Sequence, residues 1–265
     1  MRYKTVNINS ALNKITKKDI LFNGDYTIDP YQNCEFGCAY CDSAMEKKVF
    51  IKNNITDVFE KEIKKIKDAR IIIGSVHDPY QKIESTGEKT REILKLIKKH
   101  NLCCHILTKS NLVLRDIELL KEIKDCNITI SISTIDCKKK ELFEKNVIST
   151  EDRLKIVKKL NKENIKSGIS LIPIIPYVTD FEIEEIIKKS KENNSSYFLY
   201  KYLELKGDQK ILFLDIIKNS YSEIYDKFKE LYVESFYPKE YYSKKMNSKI
   251  NKLLEKYKLK NKIKN

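Results

Sequence analysis

The sequence lacks the features that would place this protein in a membrane or outside the cell. No apolar run approaches the roughly 18 residues that a membrane-spanning helix needs. The chain does not open with a charged segment followed by an apolar one, which is the pattern of a secretory signal peptide. Its seven cysteines are an odd number, whereas a disulfide framework normally uses an even one. We therefore expect a cytoplasmic protein without a membrane partner, in a reducing compartment where free thiols survive.

Acidic residues are too few to balance the basic ones. The chain has 52 lysines and arginines against 38 aspartates and glutamates, which gives a net charge of +14. Such an excess can attract nucleic acid. Many lysines, however, are interleaved with glutamates along residues 61–67 and 155–163, as on ordinary solvated helix faces. The final residues 256–265 are largely basic, so nucleic acid is a hypothetical partner and a solvated surface is the alternative.

A second set of zinc ligands is also absent. Zinc sites usually pair a CxxC with a distant CxxC or HxxxH, and neither partner motif occurs. What the chain does contain is Cys34, Cys38 and Cys41, three cysteines within eight residues. One loop can wrap these sulfurs around a metal centre, and Gly37 suits a tight turn close to it. A four-iron cluster takes four ligands, so three thiolates leave one iron for a non-protein ligand. From the residues alone, zinc or three buried structural cysteines stay open as alternatives.

Apolar runs alternate with helical periodicity along the first two hundred residues. Helices are predicted between the strands, at residues 55–66, 86–100, 115–123, 138–144, 150–163 and 180–192. Six strands are predicted at residues 26–28, 70–74, 103–108, 128–133, 167–172 and 197–203. This alternation predicts an α/β protein with right-handed crossovers and a parallel sheet. An open doubly wound sheet and an incomplete barrel both fit the strand count.

The pattern changes after Gly207. Helices are predicted at residues 211–217, 224–231 and 246–259, with several tyrosines among them. We therefore expect two parts, a core at residues 1–205 and a helical C-terminal extension at residues 206–265.

The cysteine loop resembles the signature of a known enzyme family. The C-x3-C-x2-C spacing, with Tyr40 directly before the third cysteine, is similar to that of the radical S-adenosylmethionine (SAM) superfamily. The resemblance implies a partial (β/α)6 TIM-type barrel in which the three cysteines carry a [4Fe-4S] cluster. It also implies that the amino and carboxylate groups of SAM bind the fourth iron. An external donor of the flavodoxin or ferredoxin type would supply an electron, and SAM would yield a 5′-deoxyadenosyl radical that abstracts a substrate hydrogen.

Further motifs resemble one branch of that superfamily, the spore photoproduct lyase-like proteins. They run in the family's order over roughly residues 8–200, at residues 11–14, 26–31, 78–81, 107–110, 114–116, 130–136, 153–154 and 173–176. Carried over by position, Lys109 and Ser133 would bind SAM. His77 stands where the branch usually has a serine or threonine near the SAM amine.

The side chains at the predicted strand ends suit SAM as a ligand. Barrel enzymes gather their reactive groups at the carboxyl ends of the strands. Lys109 can provide a cation for the methionine carboxylate, and Asp78 or a neutral His77 can accept from the amine. Ser133 could donate to the carboxylate or the ribose, and Tyr40 could pack near the adenine.

Two positions depart from the branch. Spore photoproduct lyase has a hydrogen-donating cysteine where this chain has Ser75, whose O–H bond is too strong for that role. Asp42 follows the third cysteine, where the branch commonly has tyrosine. We therefore expect the radical-generating core but not thymine-dimer repair. Cys137, just past a strand end, is the cysteine that we would test as a hydrogen-atom donor.

The sequence thus predicts a radical SAM enzyme whose substrate is unknown, with a nucleic-acid base as a hypothesis. The alternative is a non-catalytic iron–sulfur or zinc-binding module associated with nucleic acid.

Overall fold

A computed structural model describes residues 2–263, apart from the side chain of Ala44. Residues 264 and 265, the end of the predicted extension and of the basic segment, lie outside the described residues. The strands of the described part are β1 Arg2–Val6, β2 Asn13–Lys14, β3 Tyr26–Ile28, β4 Tyr31–Gln32, β5 Lys48–Lys52, β6 Arg70–Ile73, β7 Cys103–Thr108, β8 Cys126–Ile132, β9 Lys166–Ile174 and β10 Phe198–Tyr202.

The helices follow the predicted periodicity closely, with one break. Glu88 has a left-handed backbone, φ 46°, and divides the predicted helix 86–100 into α2 and α3. None of the helices within residues 2–263 is long and apolar enough to cross a membrane. The α-helices are α1 Ile55–Ile63, α2 Glu84–Gly87, α3 Lys89–Lys99, α4 Ile117–Lys121, α5 Cys137–Phe143, α6 Thr150–Lys162, α7 Ile183–Glu192, α8 Gly207–Ser220, α9 Tyr225–Glu230 and α10 Glu240–Lys256, and the 3-10 helices are Asp42–Met45, Asn111–Asp116 and Ser222–Ile224.

The central sheet has seven strands in the order β10-β9-β8-β7-β6-β3-β2. Every pair from β3 to β10 is parallel, and only the short edge strand β2 is antiparallel. Each of the six predicted strands is present. All residues of β6 and β8 are buried, as expected for parallel strands covered on both faces. The predicted α/β class with a mostly parallel sheet is therefore confirmed.

Side chains on the two faces of the sheet enter two different cores. Successive strand residues point to opposite faces. Ile71 and Ile73 pack into the large core with the helices. Ile72 instead joins a small cluster with Phe22, Tyr197, Leu199 and Ile263 on the other face. This small cluster therefore lies on the face of the sheet opposite the large core.

A buried histidine lies on the same side as the small cluster. The ring of His105 packs edge-to-face against Phe22, with ring centroids 4.4 Å apart, and has no exposed surface. Burial lowers its pKa to about 3. The pKa of a histidine in an unfolded chain is about 6.5. Between these values the unfolded chain binds a proton that the native protein rejects, so the free energy of unfolding decreases as the pH falls.

We expect this histidine to contribute to acid sensitivity. Lowering the pH from 7 to 5 should remove about 2 kcal/mol of unfolding free energy through His105 alone. The His105→Leu variant lacks this histidine. Its free energy of unfolding should therefore decrease by about 2 kcal/mol less than that of the wild type between pH 7 and pH 5. Urea unfolding of both proteins at both pH values measures it. An equal pH dependence in the two proteins would contradict the expectation.

The C-terminal helices share the large core. Phe213, Ile217, Phe228, Ile250 and Leu254, from α8, α9 and α10, are buried in it. The Tyr242 hydroxyl on α10 donates to the Asp180 carboxylate near α7, at 2.7 Å. The division into residues 1–205 and 206–265 stays a prediction.

A second, three-stranded sheet was not predicted from the sequence. Its order is β1-β5-β4, with β1 parallel and β4 antiparallel to β5. β4 and β5 are the two strands on either side of the cysteine loop in the chain. Their pairing therefore brings the two ends of the loop together.

Candidate functional site

The start of the cysteine loop is tied to the segment that follows β6. Gln81 is fully buried there. Its side-chain oxygen accepts from the Glu35 amide at 2.9 Å, and its nitrogen donates to the Asn33 carbonyl at 3.2 Å. Glu35 in turn accepts from the Ile83 amide at 2.8 Å. These bonds hold the first cysteine, Cys34, between two anchored neighbours.

The middle of the loop is tied to the end of α5. The Ala39 amide donates to the Phe143 carbonyl at 2.9 Å, and Asn146 donates to the Phe36 carbonyl at 3.3 Å. Gly37 has φ 53°, a left-handed conformation that glycine adopts without strain. A turn at this position lets the chain place Cys38 on the same side as Cys34.

The three thiols line one cavity of about 170 Å³. Cys34 and Cys38 are buried and Cys41 is half-buried. Opposite the loop, the cavity is lined by residues at or just after the carboxyl ends of four parallel strands, namely Gly74, Ser75, Val76, Asp78, Leu107, Thr108, Lys109, Ser131 and Ile172. A liquid-phase water occupies about 30 Å³, so the space can hold several non-protein atoms.

The backbone at the end of β6 comes very close to β7. Gly74 has φ 85°, and a Cβ there would lie 2.5 Å from the Leu107 carbonyl oxygen. Asp78 then fastens the two strand ends together. Its carboxylate accepts from Thr108 Oγ1 and the Lys109 amide, both at 2.7 Å, and from the Tyr80 amide at 2.9 Å. Asp78 therefore orients Lys109 in addition to lining the cavity.

A buried network of charged side chains holds the cysteine loop through a hydrogen bond to Tyr40. Glu144 and Arg153 are fully buried and paired at 2.7 Å. Arg153 also donates to the Ser131 carbonyl at 2.8 Å, and the Tyr40 hydroxyl donates to Glu144. Lys109 Nζ lies 5.8 Å from the centroid of the Tyr40 ring. The network fixes Tyr40, and with it the backbone beside Cys41.

The pKa values at the site follow from burial and from these charges. Burial raises the pKa of Cys34 and of Cys38 to about 12, with Asp78 adding to the effect at Cys34 and Lys109 opposing it at Cys38. Burial works against the charge of Lys109, yet Cys38, Glu144 and Asp78 raise its pKa above the ordinary value. A metal-bound thiol is deprotonated outright, so the metal itself would supply the driving force for thiolate formation here.

The structure brings some of the predicted site residues to the cavity and not others. Tyr40, Asp78 and Lys109 line it together with the three cysteines. Ser133 lies two residues beyond Ser131, fully buried, and its hydroxyl has no hydrogen-bond partner within the described residues.

His77 and Cys137 are not among the cavity-lining residues. His77 is half-buried beside Asp29 and Lys52, and burial lowers its pKa. Cys137 is exposed at the start of α5. A role for either side chain at the reacting centre would need it to reach the cavity from where the structure places it.

The cysteines fit a multi-iron cluster better than a single metal ion. A zinc ion needs all its ligands within about 2.3 Å of one point. No group of three or more Cys, His, Asp or Glu within residues 2–263 is arranged to hold one ion. In an iron–sulfur cluster each thiolate binds a different iron, and three separated thiols around one cavity suit that arrangement. Lys109 also lines this cavity and could supply a polar group for a ligand of the remaining iron.

Comparison with known proteins agrees with this geometry. A model of the radical SAM superfamily matches residues 28–189, which include the cysteine loop and the four parallel strands β6 to β9. The chain belongs to the radical SAM superfamily. Membership implies a [4Fe-4S] cluster and SAM as cofactors, and confirms the resemblance drawn from the cysteine motif.

Proteins similar to this chain occur in an archaeon and in a bacterium. It is 32% identical over 212 residues to an uncharacterized protein of Methanocaldococcus jannaschii, across 76% of this chain and 78% of that protein. It is 22% identical over 271 residues to an uncharacterized protein of Mycobacterium tuberculosis, across 94% of this chain and 79% of that one.

Two solved structures share the fold. Spore photoproduct lyase complexed with dinucleoside spore photoproduct superimposes with a TM-score of 0.72 at 14% identity, over 96% of this chain and 79% of that chain. Streptococcus suis SuiB bound to the precursor peptide SuiA gives a TM-score of 0.55 at 19% identity, over 77% of this chain and 46% of that one. At these identities the likeness concerns the fold alone.

Sequence reasoning missed the residues that support the site. Gln81 fell within a motif of the branch, but its role as an anchor of the loop was not predicted. Glu144 was predicted only as the last residue of a helix. Neither has a local sequence signal, because each acts on a loop more than 40 residues away in the chain.

Proposed function

We propose that this protein is a radical SAM enzyme that binds its cluster through Cys34, Cys38 and Cys41 and binds SAM in the cavity between the loop and the strand ends. When bound, the cluster and SAM together supply a 5′-deoxyadenosyl radical that abstracts hydrogen from a substrate. The observation that carries the proposal is that the three thiols and Lys109 line one cavity at the carboxyl edge of the parallel sheet. We also propose that this sheet is the partial (β/α)6 barrel of the family.

The side chains around the cavity would bind and orient SAM. Lys109 is a cation beside the loop, suited to the methionine carboxylate. Ser133, two residues beyond the cavity-lining Ser131, has a buried hydroxyl that has no partner within residues 2–263 and would donate to SAM. Asp78 would act mainly by holding the Lys109 backbone, because its oxygens already accept three hydrogen bonds. Tyr40 offers its ring face at the same wall. A high pKa keeps Lys109 charged at neutral pH, as its role requires.

The substrate class proposed for the first test is a nucleic-acid base. The net charge of +14 supports it, because phosphate binding depends on such charge. A fold neighbour, spore photoproduct lyase, is complexed with a dinucleoside photoproduct. Ser75 lines the cavity in place of the donor cysteine of that branch, which argues against the same repair reaction. Another neighbour is bound to a precursor peptide, so peptides belong in the same screen.

An external one-electron donor and a reducing, cytoplasmic location complete the proposal. All seven cysteines are free. Thiols that must take up a cluster need an environment in which they stay reduced.

A reductive cleavage assay tests the function directly. The protein is reconstituted anaerobically with iron and sulfide and is then incubated with dithionite and SAM. We expect about four irons per chain and the formation of 5′-deoxyadenosine and methionine. The same reaction with added DNA, RNA or peptide shows whether any of them accelerates SAM cleavage or is altered.

Two results would count against the proposal. A loaded cluster without any 5′-deoxyadenosine would leave the non-catalytic module as the better description. Zinc in place of iron, at one ion per chain, would contradict the cluster itself.

A further inference from the structure

A larger cavity, of about 900 Å³, lies on the other side of the cysteine loop. Phe36 and Gly37 line both this outer cleft and the inner cavity, so this part of the loop forms a wall between them. None of the strand-end residues of the inner cavity lines the outer cleft. A ligand in the outer cleft would therefore lie beside the cluster loop without touching the strand ends where SAM would bind.

The outer cleft carries uncompensated positive charge. Arg2, Lys47, Lys48 and Lys82 line it, all are exposed, and none has an ion-pair partner within the described residues. Two carboxylates, from Glu35 and Glu46, also line it, so four cations and two anions leave a net +2.

Strand register adds to this charge instead of relieving it. Arg2 in β1 stands directly opposite Lys48 in β5. Like charges held side by side repel each other. An anionic partner placed against both cations would relieve that repulsion.

Two aromatic side chains, Tyr3 and Phe36, also line the cleft. Tyr3 is 43% exposed, and its hydroxyl donates to Glu35, whose other oxygen holds the Ile83 amide. Phe36 of the loop lines the same cleft. Interfaces between proteins commonly combine an aromatic centre with a charged rim.

The position of the cleft favours an electron donor over a substrate. A substrate must reach the reacting carbon of SAM, which belongs to the inner cavity. A donor needs only to come close to the cluster. Gly37 is the chain neighbour of Cys38, and consecutive Cα atoms are about 3.8 Å apart, so a protein docked in the cleft would be separated from the cluster by little more than the loop backbone.

We infer that the outer cleft is the docking surface for an acidic one-electron donor protein. The inference rests on the proposed function, because a donor is needed only if a cluster must be reduced. One electron would leave the donor, which is thereby oxidised by one electron. It would pass to the cluster held by the cysteine loop, which would be reduced by one electron. No bond is formed or broken at the cleft, and no proton is transferred there.

Charge reversal in the cleft tests the inference. The variant is Lys47→Glu/Lys48→Glu, and the matched control is Lys17→Glu/Lys18→Glu, an exposed pair outside the cleft with the same change in net charge. Binding of a purified flavodoxin to the loaded enzyme is measured by calorimetry at low ionic strength. We expect the affinity to fall about tenfold in the cleft variant and less than twofold in the control. Lys82→Glu, on a different segment, should shift it in the same direction.

A second readout concerns electron delivery. The ratio of the flavodoxin-driven to the dithionite-driven rate of SAM cleavage should fall about tenfold in the cleft variant, because dithionite needs no docking surface. Equal flavodoxin affinity in the two double variants would overturn the inference. A cleft variant that keeps its affinity for flavodoxin but loses affinity for a short single-stranded oligodeoxynucleotide would also overturn the inference. The cleft would then be a nucleic-acid surface. If wild-type enzyme cleaves no SAM with dithionite, the proposed function fails, and the binding measurement still decides the docking surface.

Discussion

Replacing Cys38 with alanine should give a protein that neither retains iron nor cleaves SAM. Cys38 is the middle ligand of the proposed set, it is buried, and it lines the inner cavity. Two thiols would remain for a cluster that takes three from this loop. We expect the iron content to drop from about four per chain to nearly none, with no detectable 5′-deoxyadenosine.

The control for this prediction is another cysteine. Cys103 is half-buried at the start of β7 and does not line the inner cavity. Cys103→Ala should keep its iron and its cleavage rate. Iron analysis, the visible absorbance of the cluster and product chromatography report on the two variants together. A Cys38→Ala protein with a full complement of iron and wild-type cleavage would show that the cluster is held elsewhere.

Replacing Glu144 with alanine should strongly lower the free energy of unfolding. Burial alone would raise the pKa of Glu144, but Arg153, Lys109 and Tyr40 hold it below its ordinary value, so the carboxylate is charged in the native protein. Its removal would leave the fully buried Arg153 without its counter-ion. Breaking such a pair costs about 3–5 kcal/mol. In a protein of this size we expect the melting temperature to fall by about 6–20 °C.

An exposed ion pair provides the comparison. Glu118 pairs with Lys121 at 3.3 Å, and its side chain is 87% exposed. Glu118→Ala should change the free energy of unfolding by at most about 0.5 kcal/mol. Melting curves of the two variants and of the wild type, recorded at the same pH and salt, make the test. If Glu144→Ala and Glu118→Ala melt at the same temperature, water or a rearranged side chain must compensate the buried charge of Arg153.

Glu144→Ala should also disturb the cluster loop. The Tyr40 hydroxyl would lose its acceptor, and Tyr40 directly precedes Cys41. Iron uptake should therefore be slower or less complete than in the Glu118→Ala control. This effect separates a role of Glu144 in positioning the loop from a general loss of stability.

The parallel sheet was predictable because its signals are local. Apolar segments such as Ile71-Ile72-Ile73 are bounded by turn residues, and the structure has a strand at each of the six predicted places. The break at Glu88 was not predictable, because glutamate carries no preference for a left-handed backbone. The small sheet was missed because β4 has only two residues and β1 is polar and exposed.

Some residues of the candidate site were also predictable from the sequence, and others were not. The three cysteines and Lys109 were predicted from motif and strand-end positions, and the structure brings them to one cavity. The relevance of Gln81 and Glu144 appears only when distant segments meet. The positions of His77 beside Asp29 and of Cys137 on the surface likewise depend on how the loops after β6 and β8 pack.

The sequence by itself determined the chemistry that this protein can support, since three thiols separated by three and by two intervening residues define a metal loop wherever that loop lies. It also determined the alternation of strands and helices, since side-chain periodicity acts over a few residues. Only the tertiary structure decided which groups share the cavity with the thiols, which buried charges support them, and that an unpaired basic cleft lies across the loop. Those relations join residues far apart in the chain, and local sequence preference carries no information about such distances.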